Sequence, residues 1–334
     1  MFTLIGSIIV FLIVILIHEF GHFFVAKLVG IKVDEFSIGM GPEIFHRKKG
    51  ETQYSLRLLP IGGYVAMEGE EAYSDDPRSF NNVSVFKRMA VVVAGVFMNF
   101  LLAIIAFFVI ALLVGSPTNK IDNVLENSPA QYSDLRAGDE IIVINGNKIN
   151  SWSDISENIS LSQGDDIEIE IIRGKENLKK TISLMEKDGN RVIGIEPAYE
   201  KSILLSMKYS LEHTISLIKD IFTTFKMLFQ GKLNVGMFAG PIGVIQIIGQ
   251  ETSKGILYLI NILGFISVNL GIINLLPIPA LDGGKLVFLL IEKVRGKKVD
   301  EELEGKLSYI SFSLLLALVL YVTLFGDLKR IFGW

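Results

Sequence analysis

The sequence predicts an α-helical polytopic membrane protein with four transmembrane spans and a small soluble domain inserted between the second and third. Three observations predict it. Half of the 334 residues are hydrophobic and mean hydropathy is +0.47, and the apolar residues gather into four long runs. Residues from about 118 to 200 break that trend with dense charge and strand-like alternation. Lysine and arginine fall unevenly among the segments that join the runs.

The four runs are Phe2 to about Val29, Met89–Val114, Ile256–Leu281 and Leu307–Phe325, each near or above the roughly 20 residues that a bilayer crossing takes. The first is interrupted by His18, Glu19, His22 and Lys27. It lacks a basic start and a small-residue cleavage site, so it is expected to be retained rather than removed as a signal peptide. Basic residues crowd the segment after the first run (Arg47, Lys48, Lys49, Arg57) and the one after the third (Lys293, Arg295, Lys297, Lys298). The excess of Lys and Arg on the cytoplasmic side of membrane proteins places both segments in the cytoplasm. The soluble insert and both termini then face outside, with Lys329 and Arg330 arguing against that side for the C-terminus. The net charge of −4 leaves no basic footprint for nucleic acid. The absence of cysteine excludes disulfides and thiol catalysis, leaving His, Asp and Glu as candidate metal ligands.

Within the insert, Asp166-Ile167-Glu168-Ile169-Glu170-Ile171 alternates as a half-buried strand does, and Asn145-Gly146, Arg173-Gly174 and Asp188-Gly189 are turn signals. Ser128-Pro129-Ala130 followed by Arg136-Ala137-Gly138-Asp139-Glu140 and a β-run ending at Asn145-Gly146 resembles a bacterial PDZ domain, an α/β module. Trp152 and Ile155 then open its short helix. From 202 to about 230, Leu204, Met207, Leu211, Ile215, Ile218, Phe222, Phe225 and Phe229 share one helix face. That face suits either the outer membrane surface or packing against the soluble domain. The divisions read this way are 1–117, a membrane region with a cytoplasmic β-hairpin loop; 118–200, the extracytoplasmic PDZ-like domain; 201–254, the amphipathic segment; and 255–334, the C-terminal membrane region.

The chemistry concentrates in His18-Glu19-Phe20-Gly21-His22. Positions i and i+4 of a helix share a face, so both imidazoles reach one ion, and Glu19 beside them is placed to polarise a water there. Three ionisable side chains inside an apolar helix are costly and functional by default. Catalytic zinc takes three protein ligands and keeps one position open. His46 and His213 are weak third candidates, one in a basic loop and one on the amphipathic segment. Asp282 is stronger, because it ends Asn274-Leu275-Leu276-Pro277-Ile278-Pro279-Ala280-Leu281-Asp282-Gly283-Gly284. There two prolines break the helix, and irregular backbone at membrane depth is tolerated only inside protein or beside a cavity. Asp282 could alternatively cap the following helix. Asn269 and Asn274 either bind substrate backbone and the reaction's oxyanion or join helices; for Asn99 the joining role is favoured. Gln53-Tyr54-Ser55-Leu56-Arg57-Leu58, followed by Pro60 and Gly62-Gly63, suits a hairpin edge that pairs with an unwound substrate through Tyr54 or Leu56.

Taken in order, these motifs, with Leu59-Pro60-Ile61-Gly62-Gly63-Tyr64-Val65, Ala94-Gly95-Val96-Phe97-Met98-Asn99-Phe100 and Ala239-Gly240-Pro241-Ile242-Gly243, resemble the site-2 protease family of intramembrane zinc metalloproteases over nearly the whole chain. Within it they resemble the RseP/RasP type with a single PDZ domain. The resemblance implies Zn2+ held by His18, His22 and Asp282, Glu19 as catalytic acid/base, and a loop around Gly62 and Gly63 that dips into the membrane to meet substrate. It implies regulated intramembrane proteolysis of single-span membrane proteins, such as anti-sigma factors or signal-peptide remnants, after an upstream site-1-type protease has trimmed them. The setting it implies is the cell membrane, with the active site toward the cytoplasm. Two departures stand out: one PDZ-like domain where some relatives carry two, and Val96 where proline usually follows Ala-Gly. A silent scaffold that binds peptide tails is the alternative from another class, and the intact set of Glu19 and three ligands speaks against it.

Overall fold

Long apolar runs free of proline wind into helices, because only a helix satisfies every backbone group within its own segment in lipid. A computed structural model describes residues 2–70, 74–187, 190–232 and 238–333; the expected turn at Asp188-Gly189 and the side chain of Phe229 lie outside the described set. The elements run α1 (Phe2–Val29), β1 (Val33–Lys49), β2 (Thr52–Met67), α2 (Val85–Val114), β3 (Ser116–Val124), α3 (Pro129–Tyr132), β4 (Glu140–Ile144), β5 (Asn147–Lys148), α4 (Trp152–Leu161), β6 (Asp166–Arg173), β7 (Glu176–Ser183), β8 (Met185–Lys187), β9 (Asn190–Val192), β10 (Ile195–Glu200), α5 (Ile203–Phe229), α6 (Pro241–Lys254), α7 (Ile256–Leu275), α8 (Asp282–Arg295), α9 (Glu301–Val322), a π-helical turn (Thr323–Leu328) and α10 (Lys329–Phe332). They form two compact units, Met1–Ala106 with Thr214–Trp334, and Phe107–His213.

In the first unit, Ile5–Val29, Val85–Val114, Ile256–Leu275 and Glu301–Phe332 are long and apolar enough to cross a membrane. The third span ends at Leu275, six residues before the apolar run does. Leu276 is extended, as the residue before a proline prefers, and residues 276–281 form an irregular link closed by Ile278 N–H to Leu276 O (2.7 Å) and Leu281 N–H to Ile278 O (2.8 Å). Val10 and Val14 of α1 pack with Ile248 of α6 and Ile262 of α7. Ala26 of α1 packs with Val91 and Val92 of α2 and Leu289 of α8. Arg88 of α2 forks onto Glu292 of α8 at 2.9 and 2.5 Å. By contrast, α9 buries none of its side chains.

The hairpin of β1 and β2 is a four-segment antiparallel sheet made of two bent strands. Gly39 and Gly41 (φ +84° and +83°) and Gly62 (φ +82°) supply the bends, since left-handed backbone costs glycine least. Residues 35–38 pair with 53–56 on one side and with 63–66 on the other, and 53–57 pair in turn with 43–48. The order across the sheet is therefore 43–49, 52–57, 33–38, 63–67. Tyr54 faces Phe36 on one side and Arg47 on the other; Leu56 faces Ile38 and Phe45. This corrects the sequence expectation: both lie in an inner segment, with no free backbone to offer a substrate. The edge that runs beside α1 is Gly63–Met67. Around the bends Met40, Ile44, Phe45, Leu58 and Leu59 are exposed.

The second unit has the strand order β10-β3-β4-β6-β7, with β5 hairpinned onto β4. Ile167, Ile169 and Ile171 of β6 are fully buried with Ile121, Ile141, Ile144 and Ile182, so the alternation reads out as one buried face. Asn145 and Gly146 (φ +48° and +80°) close the β4–β5 turn, which needs positive φ at both positions. Gly138 (φ +88°) turns the chain into β4, and the buried Asp139 accepts two bonds from Arg173, at 2.7 and 2.8 Å. Ser151 and Asp154 form a capping box on α4. This is the PDZ-like domain that the sequence resembles. The stripe on α5 stays exposed at Leu204, Met207, Leu211, Ile215 and Phe222.

Candidate metal centre

The site is assembled where α1 and α2 touch. A Cβ on Gly21 would fall 2.5 Å from the carbonyl oxygen of Ala94, and one on Gly95 would fall 2.4 Å from Nε2 of His22 and 2.8 Å from Cε1 of His18. Glycine at these two positions lets the helices close onto the imidazoles. Asp282 arrives from the start of α8. It does not cap that helix: Leu281 holds the cap position and no side chain bonds there. The carboxylate turns to the histidines instead, with Oδ2 3.1 Å from Nε2 of His18 and 3.3 Å from Nε2 of His22. Gly283 and Gly284 make this possible by close approach rather than by unusual φ. Their Cβ atoms would fall 2.3 Å from the carbonyl oxygens of Leu275 and Leu276, and 2.2 Å from that of Ile278.

The outer nitrogens fix the protonation pattern. Nδ1 of His22 lies 2.8 Å from the carbonyl oxygen of Val91. A carbonyl only accepts, so Nδ1 carries the proton and Nε2 presents a lone pair. His18 faces Asn99, whose amide lies 3.3 Å from Nδ1 and whose buried Oδ1 has no partner. Turning this amide over, a change of assignment rather than of shape, gives Oδ1 the proton of Nδ1. Nε2 of His18 then also presents a lone pair. The amide has little freedom otherwise: it is fully buried, and the Asn99 carbonyl accepts the Ser267 hydroxyl at 2.8 Å.

Three acceptor atoms therefore converge without a hydrogen among them. The two Nε2 atoms are 3.2 Å apart, and Oδ2 of Asp282 is buried without a hydrogen-bond donor. Such a cluster is repulsive unless a proton or a metal cation is shared at its centre. Tetrahedral zinc, with bonds of about 2.0–2.2 Å, spaces its N and O ligands about 3.3 Å apart, so the residues present fit the ion. Among the described residues this is the only such group of His, Cys, Asp or Glu ligand atoms. His46 pairs with Glu43 and His213 stacks on Tyr209; neither joins it.

Glu19 lines a cavity of about 580 Å³ with His18, His22 and Asp282, walled on one side by the sheet edge at Tyr64–Met67. A Cβ on Gly63 would lie 3.8 Å from Cγ of Glu19, which sets that edge next to the carboxylate. Of the two asparagines expected near the site, Asn274 reaches it, with Nδ2 3.3 Å from Nε2 of His18. Asn269 does not: it is half-buried and donates to its own helix at Phe265 O, 2.8 Å. Asn99 and Gly95, by contrast, belong to the site. The signal for Asn99 was a lone amide in an apolar run, four residues after a glycine; that spacing puts both on one helix face.

Elsewhere in the hairpin sheet, Tyr64 donates to Glu35 (2.6 Å) and Arg57 bonds both. Burial, then the Glu35 carboxylate, pushes the Tyr64 phenol up to about 12, so it stays a donor across the physiological range.

An open three-ligand metal site with a carboxylate in its cavity, its two histidines carried on a membrane-length helix, defines a membrane zinc metallopeptidase. The chain belongs to peptidase family M50, whose description it matches over residues 6–318. It is 40% identical over 328 residues to a Clostridium acetobutylicum protein provisionally named a zinc metalloprotease, covering 97% of this chain and 96% of that one. It is 30% identical over 418 aligned positions to the regulator of sigma-W protease RasP of Bacillus subtilis, covering 99% of each. The inserted domain is similar to the PDZ domain of the SdrC-like protein of Listeria monocytogenes, at 29% identity, 25% of this chain, 88% of that one and a TM-score of 0.23. This chain is a zinc metalloprotease of the site-2 protease family.

Proposed function

We propose that this enzyme cleaves single-span membrane proteins within the bilayer, with zinc held by His18, His22 and Asp282. The observation that carries the reading is the hydrogen-free cluster of three acceptors. Bound zinc supplies Lewis acidity to the substrate carbonyl and to water. The chain's own groups do the rest. His22 and His18 are held in one tautomer by Val91 and Asn99. Glu19 takes the proton of the attacking water and returns it to the departing amide nitrogen. The Asn274 amide, beside His18, is placed to donate to the oxyanion.

A membrane helix hides its carbonyls in i→i−4 bonds, so the substrate must unwind. Each freed backbone group costs several kcal/mol in lipid unless it finds a partner. The sheet edge Gly63–Met67 next to Glu19 supplies partners by strand addition, and the exposed apolar side chains at the bends suit insertion at membrane depth. Gly62 and Gly63 keep that edge open to another backbone. The basic segments put the site toward the cytoplasm and the PDZ-like domain outside the cell membrane. By analogy with the Bacillus subtilis relative, named a regulator of sigma-W protease, the substrates include anti-sigma factors; the family resemblance adds signal-peptide remnants and prior trimming by a site-1-type protease.

The test is a Glu19→Gln variant in membranes. It should keep its zinc, lose cleavage, and retain uncut single-span chains that mass spectrometry identifies. Cleavage at the wild-type rate by this variant would remove Glu19 from the mechanism.

A further inference from the structure

Peptide hydrolysis makes a charge where there was none. Water adds its hydroxyl to the carbonyl carbon, the C–N bond breaks, and the other hydrogen goes to the nitrogen. The new acid then ionises, so a carboxylate appears in a cavity whose charged side chains are mostly acidic. Among the described residues lining the metal cavity, Lys285 is the only lysine or arginine, against Glu19, Asp34, Glu68, Glu70 and Asp282. Asp34 and Glu68 have their own counter-ion in Lys32, at 3.4 and 2.6 Å.

Lys285 is placed for more than surface charge. It follows Asp282 by three residues on α8, so the two side chains share a helix face. Its ammonium pairs with Glu70 at 2.7 Å. This pair also lines a second polar cavity of about 410 Å³, walled by Arg88, Glu292, Lys298 and Glu304. The Lys285–Glu70 pair is the common wall of the two spaces. Arg88 in the second cavity is already held by Glu292, and Lys285, the only lysine or arginine on the metal cavity among the described residues, is the cation that a product meets first.

We propose that Lys285 is the product-carboxylate site: it exchanges Glu70 for the new C-terminal carboxylate of the cleaved chain and passes that end from the metal cavity into the second cavity. The proposal rests on the proposed cleavage reaction. The Lys285–Glu70 pair is part-buried, where a lysine without a partner is costly; exchanging one carboxylate for another keeps the lysine paired, whereas a product carboxylate left beside Glu19 and Glu70 without a cation is repelled.

The test is binding, on purified full-length protein in detergent, zinc-loaded and metal-free. The probes are a fluorescein-labelled apolar decapeptide with a free C-terminal carboxylate and the same peptide with a C-terminal amide. Wild-type protein should bind the acid about tenfold more tightly than the amide in both metal states. Lys285→Met should bring the ratio to about one, Lys285→Arg should restore it, and Glu70→Gln should raise it by removing the competitor. An unchanged ratio in Lys285→Met or in Glu70→Gln overturns the proposal. So does an acid preference that vanishes with the metal, because zinc alone would then hold the carboxylate. Zinc-dependent cleavage by the wild type, measured on the same preparation, reports separately on the proposed reaction.

Discussion

At the metal centre the ligands are packed tightly from behind, whereas the sheet beside it presents an edge, 63–67, that is paired on one side only. Gly21 and Gly95 bring α2 within a methyl group's width of the imidazoles, His22 is anchored by a backbone carbonyl, and Gly283 and Gly284 press Asp282 into place. On the sheet, 33–38 and 52–57 are paired on both sides while 63–67 is paired on one. The chemical groups sit on rigid helices that position them tightly. In the proposed mechanism the recognition surface is the unpaired side of this edge, whose hydrogen-bonding groups any extended backbone can use. Such a division suits an enzyme whose substrates share a backbone and little else.

The comparison is broken most completely by filling the space behind the ligands. Gly95→Val would drive side-chain carbons into His22 and His18, so zinc content should fall below about a tenth of wild type and cleavage by about a hundredfold or more, read by metal analysis and turnover on one preparation. Retained zinc would mean that the helices can separate without cost. Next is the orienting amide. Asn99→Ala removes the partner of His18 and should cost roughly 10–100-fold in zinc affinity or rate, measured by competition with a chelator. An affinity equal to wild type would return Asn99 to a purely packing role.

The smallest effect is expected at the open edge. Val65 and Ala66 are consecutive, so they present their N–H groups to opposite sides of the strand. One of Val65→Pro and Ala66→Pro therefore removes an outward donor. That variant should lose about five- to tenfold in cleavage, the worth of one hydrogen bond of about 1 kcal/mol, at full zinc content. Substrates with Gly or Pro in their spans, already unwound, should be less affected. If both variants cut a stable helix at the wild-type rate, strand addition at this edge is not how substrate is held.

The helical half of this contrast is legible in the sequence and the sheet is less so. His18 and His22 are four apart on one helix, a local spacing, and Asp282 ends a run whose prolines announce a break. The inner position of Tyr54 and Leu56 is not local. It follows from two bends, at Gly39 with Gly41 and at Gly62, that lie opposite one another (Met40 faces Leu59) and fold each strand so that 33–38 gains a second partner. A pattern of alternating residues gives a strand but not the number of its neighbours. The glycine roles divide in the same way. Gly138 and Gly146 are readable as turns, whereas Gly95, Gly283 and Gly284 serve close contacts between segments distant in the chain, which no window of sequence contains.

The central claim is that three lone-pair donors around an open position hold one zinc while Glu19 acts on what binds there. Zinc stoichiometry by mass spectrometry or atomic absorption on His18→Ala, His22→Ala, Asp282→Ala and Glu19→Gln tests it most directly. About one zinc per chain is expected in the wild type and in Glu19→Gln, and much less in the three others, with cleavage lost in all four. Full zinc and cleavage in Asp282→Ala would contradict the account, because the third ligand would then lie elsewhere.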